Sequence, residues 1–90
     1  MRLDKYLKIA RIIKRRPIAK KIADQGRILI NDKVAKSSSN VTVGDVLTIQ
    51  FGNKTLVVKV MQLLESTKKE DAQLMYTILE ERYEQDFREE

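Results

Sequence analysis

Apolar side chains in the first 26 residues recur at the spacing of a helix. Leu3, Leu7 and Ala10 lie three or four residues apart with basic side chains between them, which predicts a short amphipathic first helix. Pro17 suits the first turn of a second helix, because the N–H that proline lacks would have no partner there. Gly26 suits the left-handed residue that follows a helix end. The pattern therefore predicts two short helices before residue 27.

Each predicted helix carries an apolar face. Ile18 and Ile22 are four residues apart in the second helix, as Leu3 and Leu7 are in the first. Residues four apart lie on the same side of a helix. We therefore expect these four side chains to pack against a sheet, with the lysines of the second helix on the outer side.

Beyond residue 27 the apolar pattern changes from helical to alternating. Residues 28–30 and 34–35 predict two short strands, and Asn31-Asp32 between them predicts a tight turn. An Asn-Gly pair would be the stronger signal, because the second turn position also needs a positive φ. The polar residues 37–40 that follow predict a loop.

A second pair of strands is predicted farther along the chain. Residues 47–51 and 56–60 alternate between apolar and polar side chains, and Gly52-Asn53 separates them as a turn. Two strand pairs joined by short connections indicate a small antiparallel meander. The predicted fold class is α+β, with two short helices packed on a small antiparallel β-sheet.

The last third of the chain predicts a C-terminal helix from about Thr67. Thr67 and Glu70 have the spacing of a capping box. Three apolar or aromatic side chains then recur every four residues: Met75, Leu79 and Tyr83. A strand through residues 74–79 is the alternative, because this stretch contains β-branched and aromatic residues that favour strands. We prefer the helix.

Charge divides the chain into unequal parts. The 90 residues carry 18 basic and 13 acidic side chains, a net charge of +5, but residues 1–36 alone carry +9 and residues 65–90 carry −5. A length of 90 residues fits one small domain. We expect a basic domain over about residues 1–63 and an acidic, helical extension over residues 64–90. The basic end favours a polyanionic partner, although a membrane surface would also fit.

Several kinds of chemistry are excluded by residues that the chain lacks. Without cysteine it has no disulfide and no thiol nucleophile, and without histidine it lacks the commonest general base and metal ligand. Neither of the common glycine-rich phosphate-binding motifs occurs. No stretch is long and apolar enough for a membrane span, and the basic start lacks the apolar region of a signal peptide. We expect a cytoplasmic protein that is not an enzyme, with no cofactor, no membrane partner and no small-molecule substrate.

The basic residues of the two helices and their borders are the candidate binding residues. Arginine can donate two hydrogen bonds at once to a phosphate, and lysine adds a mobile charge. Neutralising phosphates releases counterions, so binding should weaken steeply with salt. The candidates are Arg2, Lys5, Lys8, Arg11, Lys14, Arg15, Arg16, Lys20, Lys21 and Arg27. Few aromatic side chains are expected to be exposed for stacking on single strands, which favours recognition of a structured duplex or junction through its backbone and shape.

The order of these residues resembles a known RNA-binding domain. The segments that carry the resemblance are R-L-D-K at residues 2–5, A-R at 10–11, K-R-R at 14–16, A-D-Q-G-R-I at 23–28 and Ile30-Asn31. Together they are similar to the S-four RNA-binding domain, also called the alpha-L motif, over roughly residues 1–63. Asp32 stands where members of that family often have glycine. The resemblance implies two helices on a small sheet, with the helical pair as the RNA-binding surface.

The whole chain is most similar to stand-alone bacterial members of that family. These act in ribosome-associated quality control and are related to a small heat-shock protein that binds free large ribosomal subunits. The resemblance implies binding to stalled large subunits that carry peptidyl-tRNA, with contacts to rRNA and tRNA, while a partner factor adds C-terminal alanines to the nascent chain. By match to the motif, the expected contacts are Arg2, Arg11, Lys14, Arg15 and Arg16, supported by Lys5, Lys20, Lys21 and Arg27.

Three other functions stay open. A heat-shock factor for recycling or assembly of large subunits is a close variant. A small DNA-binding regulator would also use a basic second helix, but such a helix usually carries base-reading side chains along one side. Lys20, Lys21 and Asp24 suit phosphates better. A protein-interaction module could use the acidic extension to bind a basic partner.

Overall fold

The computed structural model describes residues 1–83 as two α-helices, a 3₁₀ helix and five strands. The helices are α1 (Leu3–Ile9) and α2 (Arg16–Asp24), and the 3₁₀ helix spans Lys69–Met75. The strands are β1 (Ile28–Ile30), β2 (Lys33–Val34), β3 (Val46–Gln50), β4 (Lys54–Val60) and β5 (Tyr76–Tyr83). They form one antiparallel sheet in the order β2-β1-β3-β4-β5. The predicted α+β class, with two short helices on a small antiparallel sheet, is confirmed.

The start of α1 is held by a loop that is distant in the sequence. The amides of Leu3 and Asp4 donate to the carbonyl oxygens of Ser39 and Ser37, at 2.8 and 3.1 Å. These carbonyls accept first-turn N–H groups that have no partner inside a helix. Arg2, at the N-cap position, makes no side-chain cap. The loop predicted at residues 37–40 is confirmed and fixes where α1 begins.

Helix α2 packs through alanines rather than through both isoleucines. Pro17 lies in its first turn and Gly26 follows its end with φ +78°, as predicted. Ala19 and Ala23 are buried, whereas Ile18 is 45% exposed. The expectation that Ile18 faces the sheet is therefore wrong. The small alanine side chains let the helix backbone lie close to the core, and Ile18 lies about 100° around the helix from Ala19.

The tight turn at Asn31-Asp32 is confirmed. Both residues have positive φ, 51° and 69°, as a primed hairpin turn requires. Asn31 Oδ1 accepts from the Val46 amide at 2.9 Å, and Asn31 Nδ2 donates to Asp45 at 3.0 Å. The turn is thus tied to the start of β3, so the hairpin keeps its shape without glycine.

The prediction of a helix through Met75, Leu79 and Tyr83 is wrong. Residues 69–75 form a 3₁₀ helix, but Tyr76–Tyr83 is strand β5, paired with β4. Ile78 pairs with Val58 and Glu80 with Val57, so Leu79 is an extra residue at a β-bulge. The bulge places two apolar residues in succession and hides the alternation of the strand. Pairing along β4 satisfies backbone groups that no local pattern reveals.

The predicted capping box at Thr67 and Glu70 is also absent. Lys68 is the N-cap of the 3₁₀ helix and makes no side-chain cap. Thr67 Oγ1 instead donates to the carbonyl of Ile9 at 2.7 Å. The hydroxyl therefore joins the extension to the last residue of α1.

The segment after β4 packs into the core of the basic domain. Met75 is fully buried, and its carbonyl accepts a 2.7 Å hydrogen bond from the buried hydroxyl of Tyr6. Tyr6 itself packs with Leu3 and Leu7 from α1 against the sheet. The boundary predicted between residues 63 and 64 stays a prediction. The acidic end at residues 84–90 lies outside the described residues, and no helix within residues 1–83 is long and apolar enough to cross a membrane.

Candidate nucleic-acid interface

A buried carboxylate brings together two arginines from the starts of α1 and α2. Asp4 Oδ1 and Oδ2 accept from Arg2 Nε and Nη2 at 3.2 and 3.3 Å, and Oδ1 also accepts from Arg16 Nη2 at 3.5 Å. The Asp4 side chain is 4% exposed, whereas those of Arg2 and Arg16 are 49% and 44% exposed. We call these three residues the Asp4 cluster. A guanidinium has more N–H donors than these contacts use, so both arginines can still bind phosphate.

The ionisation of Asp4 fixes the charge of this cluster. Burial raises its pKa, but hydrogen bonds from Arg2 and Arg16, the charge of Arg16 and the Lys5 amide together hold the pKa below its ordinary value. Asp4 is therefore ionised at neutral pH. One carboxylate between two guanidiniums leaves a net positive charge and restricts how far either arginine can move.

Two predicted lysines make ion pairs at the surface. Lys5 Nζ lies 2.7 Å from Glu65, and Lys20 Nζ lies 2.9 Å from Asp24 one helical turn away. Glu65 is 83% exposed. Exposed pairs of this kind contribute little stability and are screened by salt. A phosphate can therefore replace either carboxylate at small cost.

Asp24 also connects α2 to the loop that caps α1. Its Oδ1 accepts from the Ser37 amide at 3.0 Å and its Oδ2 from the Ser37 hydroxyl at 3.3 Å. The Ser37 amide first, and the Lys20 ammonium after it, lower the pKa of Asp24 to about 2. The contact links α2 to the same loop whose carbonyls hold the start of α1.

Five of the nine predicted residues make no ion pair within residues 1–83, and three of these are Lys14, Arg15 and Lys21. All three are exposed. Lys14 and Arg15 directly precede α2 and lie next to Arg16 in the chain. Neither charge is neutralised by an ion pair within the described residues.

Arg27 lies apart from the other candidates. It follows the C-terminal end of α2, and its Nη2 lies 3.3 Å from the place that a Cβ on Gly52 would occupy. With Gln50, Lys54 and Thr55 it lines a polar pocket of about 290 Å³ at the β3–β4 turn. Helix α2 has nine residues, or roughly 13 Å at 1.5 Å per residue, between this end and Arg16. The structure therefore does not group Arg27 with the Asp4 cluster.

Arg11 has a backbone conformation that is unusual for a residue with a side chain. Its φ is 60°, in the left-handed region where a Cβ meets the following carbonyl. Its Nη2 donates to the carbonyl of Thr67 at 3.3 Å. This left-handed residue ends α1: the Arg11 amide donates to the Lys8 carbonyl at 3.0 Å and the Ile12 amide to the Leu7 carbonyl at 3.1 Å, as in a Schellman motif.

A groove separates the end of α1 from the C-terminal extension. Its volume is about 520 Å³, and residues 8–11 and Lys14 line one side while residues 65–76 supply the other. Four cationic side chains line it: Lys8, Arg11, Lys14 and Lys69. Lys69 was not predicted as a binding residue. Only the adjacent pair Lys68-Lys69, at the start of the acidic segment, could have suggested it.

The fold and its cationic surface define the class of the protein. Residues 1–47 match the S4 domain, the family of the predicted S-four resemblance. Relatives from Streptococcus pneumoniae and Bacillus subtilis, each named RQC P-site tRNA stabilizing factor, are 59% identical over 81 residues. The matches cover 90% of this chain and 92% and 94% of those proteins. The chain belongs to the S4 domain family and, within it, to the group that these relatives form.

A solved structure agrees with this assignment. Heat shock protein 15 of Vibrio cholerae is similar with a TM-score of 0.80 and 28% sequence identity. The similarity covers 87% of this chain and 80% of that one. The predicted likeness to the small heat-shock protein is confirmed at the level of the fold. The roles of the nine predicted RNA-binding residues stay predictions.

Proposed function

We propose that the protein binds large ribosomal subunits that still carry peptidyl-tRNA after a stalled ribosome has split. There it would contact rRNA and tRNA and stabilise the tRNA while a partner factor adds alanines to the nascent chain. It would act in the cytoplasm, by binding and without catalysing a reaction. The observation that carries the proposal is the 59% identity, over 90% of the chain, to relatives named for stabilising P-site tRNA.

The Asp4 cluster supports the RNA-binding part of the proposal. Arg2 and Arg16 come from different helices, and the shared carboxylate holds their half-exposed guanidiniums side by side. Arginine side chains that are already held in place lose less conformational entropy when their guanidinium groups bind phosphate. Lys14 and Arg15 add positive charge beside Arg16 in the sequence. The arrangement suits the backbone of a folded RNA better than the edges of bases.

Co-sedimentation with purified large subunits tests the proposal. We expect the protein to bind subunits that carry peptidyl-tRNA more tightly than subunits without it, with affinity that falls as salt rises. Arg16→Ala should weaken binding and reduce the slope of log affinity against log salt by about 1. Lys59→Ala is the matched control, because Lys59 is an exposed cation on β4. If the unaltered protein does not bind subunits that carry peptidyl-tRNA (loaded subunits) at moderate salt, the proposal is wrong.

A heat-shock factor for subunit recycling is the second candidate, favoured by the TM-score of 0.80 to heat shock protein 15. Dependence on the tRNA separates the two functions. Equal affinity for loaded and empty subunits would support recycling or assembly. Duplex DNA added as a competitor should not displace the protein from subunits, and displacement would instead favour a DNA-binding regulator.

The role in alanine addition needs a separate measurement in cells. We expect cells without the protein to lose alanine tails on a stalled reporter, and the unaltered gene to restore them. The Arg16→Ala variant should restore less than the Lys59→Ala variant at equal protein levels. Full tailing in cells without the protein would contradict this part of the proposal.

A further inference from the structure

The groove between α1 and the extension joins two parts of the chain that differ in their family match. Residues 8–14 lie inside the segment that matches the S4 domain, whereas residues 65–76 lie beyond its end at residue 47. One wall of the groove is therefore an addition to the S4 segment. A ligand in the groove touches both parts at once.

Direct contacts hold the two walls together. Thr67 Oγ1 donates to the carbonyl of Ile9 at 2.7 Å, and Arg11 Nη2 donates to the carbonyl of Thr67 at 3.3 Å. The groove therefore exists before any ligand binds, and little ordering is needed to occupy it.

The groove has the charge of an anion-binding site. Its four cations come from both walls: Lys8, Arg11 and Lys14 from one and Lys69 from the other. The one carboxylate among the lining residues, Glu65, is paired with Lys5. Arg11 reaches the groove from the left-handed residue that ends α1. A ligand with several negative charges fits this lining.

Its position near the Asp4 cluster favours RNA over an acidic peptide. The volume of about 520 Å³ lies within the range of pockets that hold small ligands, and Tyr76 adds an aromatic surface at one edge. The Asp4 cluster lies at the first turn of α1 and the groove at its last turn, so roughly 10 Å separates them along the seven-residue helix. Two RNA segments that lie side by side on one particle could therefore each meet one of the two sites.

We propose that this groove is a second RNA site and that it binds the backbone of the tRNA, while the Asp4 cluster binds rRNA. The proposal rests on the proposed function, which requires contact with both RNAs. The added wall is the reason for assigning the tRNA to the groove, because the S4 segment by itself already provides the Asp4 cluster.

Removing charge from both walls tests the proposal. The groove variant is Lys8→Gln with Lys69→Gln, and the matched control is Lys33→Gln with Lys59→Gln, two exposed lysines on strands. Affinity is measured for large subunits with peptidyl-tRNA and for large subunits without tRNA. We expect the groove variant to bind loaded subunits about tenfold more weakly and empty subunits within about twofold of the unaltered protein. The control should change neither affinity.

Other results would overturn the proposal in distinguishable ways. Equal losses on loaded and empty subunits would assign the groove to rRNA. Unchanged affinity for both would exclude an RNA site and leave an acidic peptide as the ligand that fits the same cations. Lys8→Arg with Lys69→Arg should retain full binding, and equal melting temperatures exclude unfolding as the cause of a loss. If the unaltered protein shows no preference for loaded subunits, the proposed function fails instead.

Discussion

Replacing Arg11 by glycine or by alanine separates its backbone strain from its charge. At a φ of 60°, a Cβ costs about 1–2 kcal/mol, which alanine keeps and glycine removes. Glycine also loses about 0.5–1 kcal/mol through its freer unfolded chain. Both variants lose the hydrogen bond to Thr67 equally, so that bond cancels in the comparison. Arg11→Gly should therefore be more stable than Arg11→Ala by about 0.5–1 kcal/mol.

Thermal and urea unfolding measure this difference. For a domain of this size, 1 kcal/mol corresponds to about 4–8 °C in melting temperature. Lys21 provides the control, because it is exposed within helix α2. There the order should reverse, with Lys21→Gly less stable than Lys21→Ala by about 1 kcal/mol.

The binding of these variants should not follow their stability. Both Arg11→Gly and Arg11→Ala remove one cation from the groove, so we expect equally weakened binding to loaded subunits. An alanine variant as stable as the glycine variant would refute the left-handed backbone at Arg11. Full binding by both variants would show that the Arg11 charge contacts no RNA.

Three further predictions concern Asp4, Tyr6 and Asp24. Asp4→Asn should lower the free energy of unfolding in urea by about 2 kcal/mol, because hydrogen bonds to a charged group are lost. It should also weaken binding to subunits, because Arg16 is no longer held in place, even though the net charge of the protein rises. Tighter binding would mean that charge alone decides. Tyr6→Phe should cost about 1 kcal/mol by removing the hydroxyl bond to the Met75 carbonyl. Burial, and then the charge of Tyr76, raise the pKa of Tyr6 above its ordinary 10.0, so the contribution of Tyr6 to stability is complete below pH 10.0 and declines above it. In urea unfolding at alkaline pH, Tyr6→Phe should show a smaller decline of stability with rising pH. An unchanged decline would contradict its assignment to Tyr6. Asp24 has a pKa of about 2 against an ordinary 3.8, so it stabilises the fold fully above pH 3.8 and loses this effect as pH falls through about 2. The melting temperature of Asp24→Asn should therefore change less between pH 3.8 and 2 than that of the unaltered protein. An equal acid dependence in both proteins would refute this.

Features that depend on neighbouring residues could be predicted from the sequence. Proline has no N–H to lose in a first helical turn, and Gly26 accepts the positive φ that follows α2. The Asn31-Asp32 turn and the alternating strands β3 and β4 are similarly local. The candidate arginines could also be found from sequence, since their density and order are properties of the chain itself.

The conformation of the extension was decided by the sheet. Spacing at Met75, Leu79 and Tyr83 suggested a helix, but β4 offered an edge with which residues 76–83 could pair. The bulge at Leu79 moved the following side chains out of simple alternation. A sequence pattern cannot show such pairing, because the partner strand lies some 20 residues away in the chain.

The geometry of the candidate site was decided only by tertiary structure. The hydrogen bond between Asp4 and Arg16 joins residues 12 positions apart in the chain, and the one between Thr67 and Ile9 joins residues 58 positions apart. Charge–charge and hydrogen-bond energies depend on distances in space, which the fold sets. The sequence by itself determined that one end of this protein is a cation that favours a polyanionic partner. Folding determined that a buried carboxylate orders two of its arginines and that the extension completes a groove beside them, because both depend on contacts between residues distant in the chain.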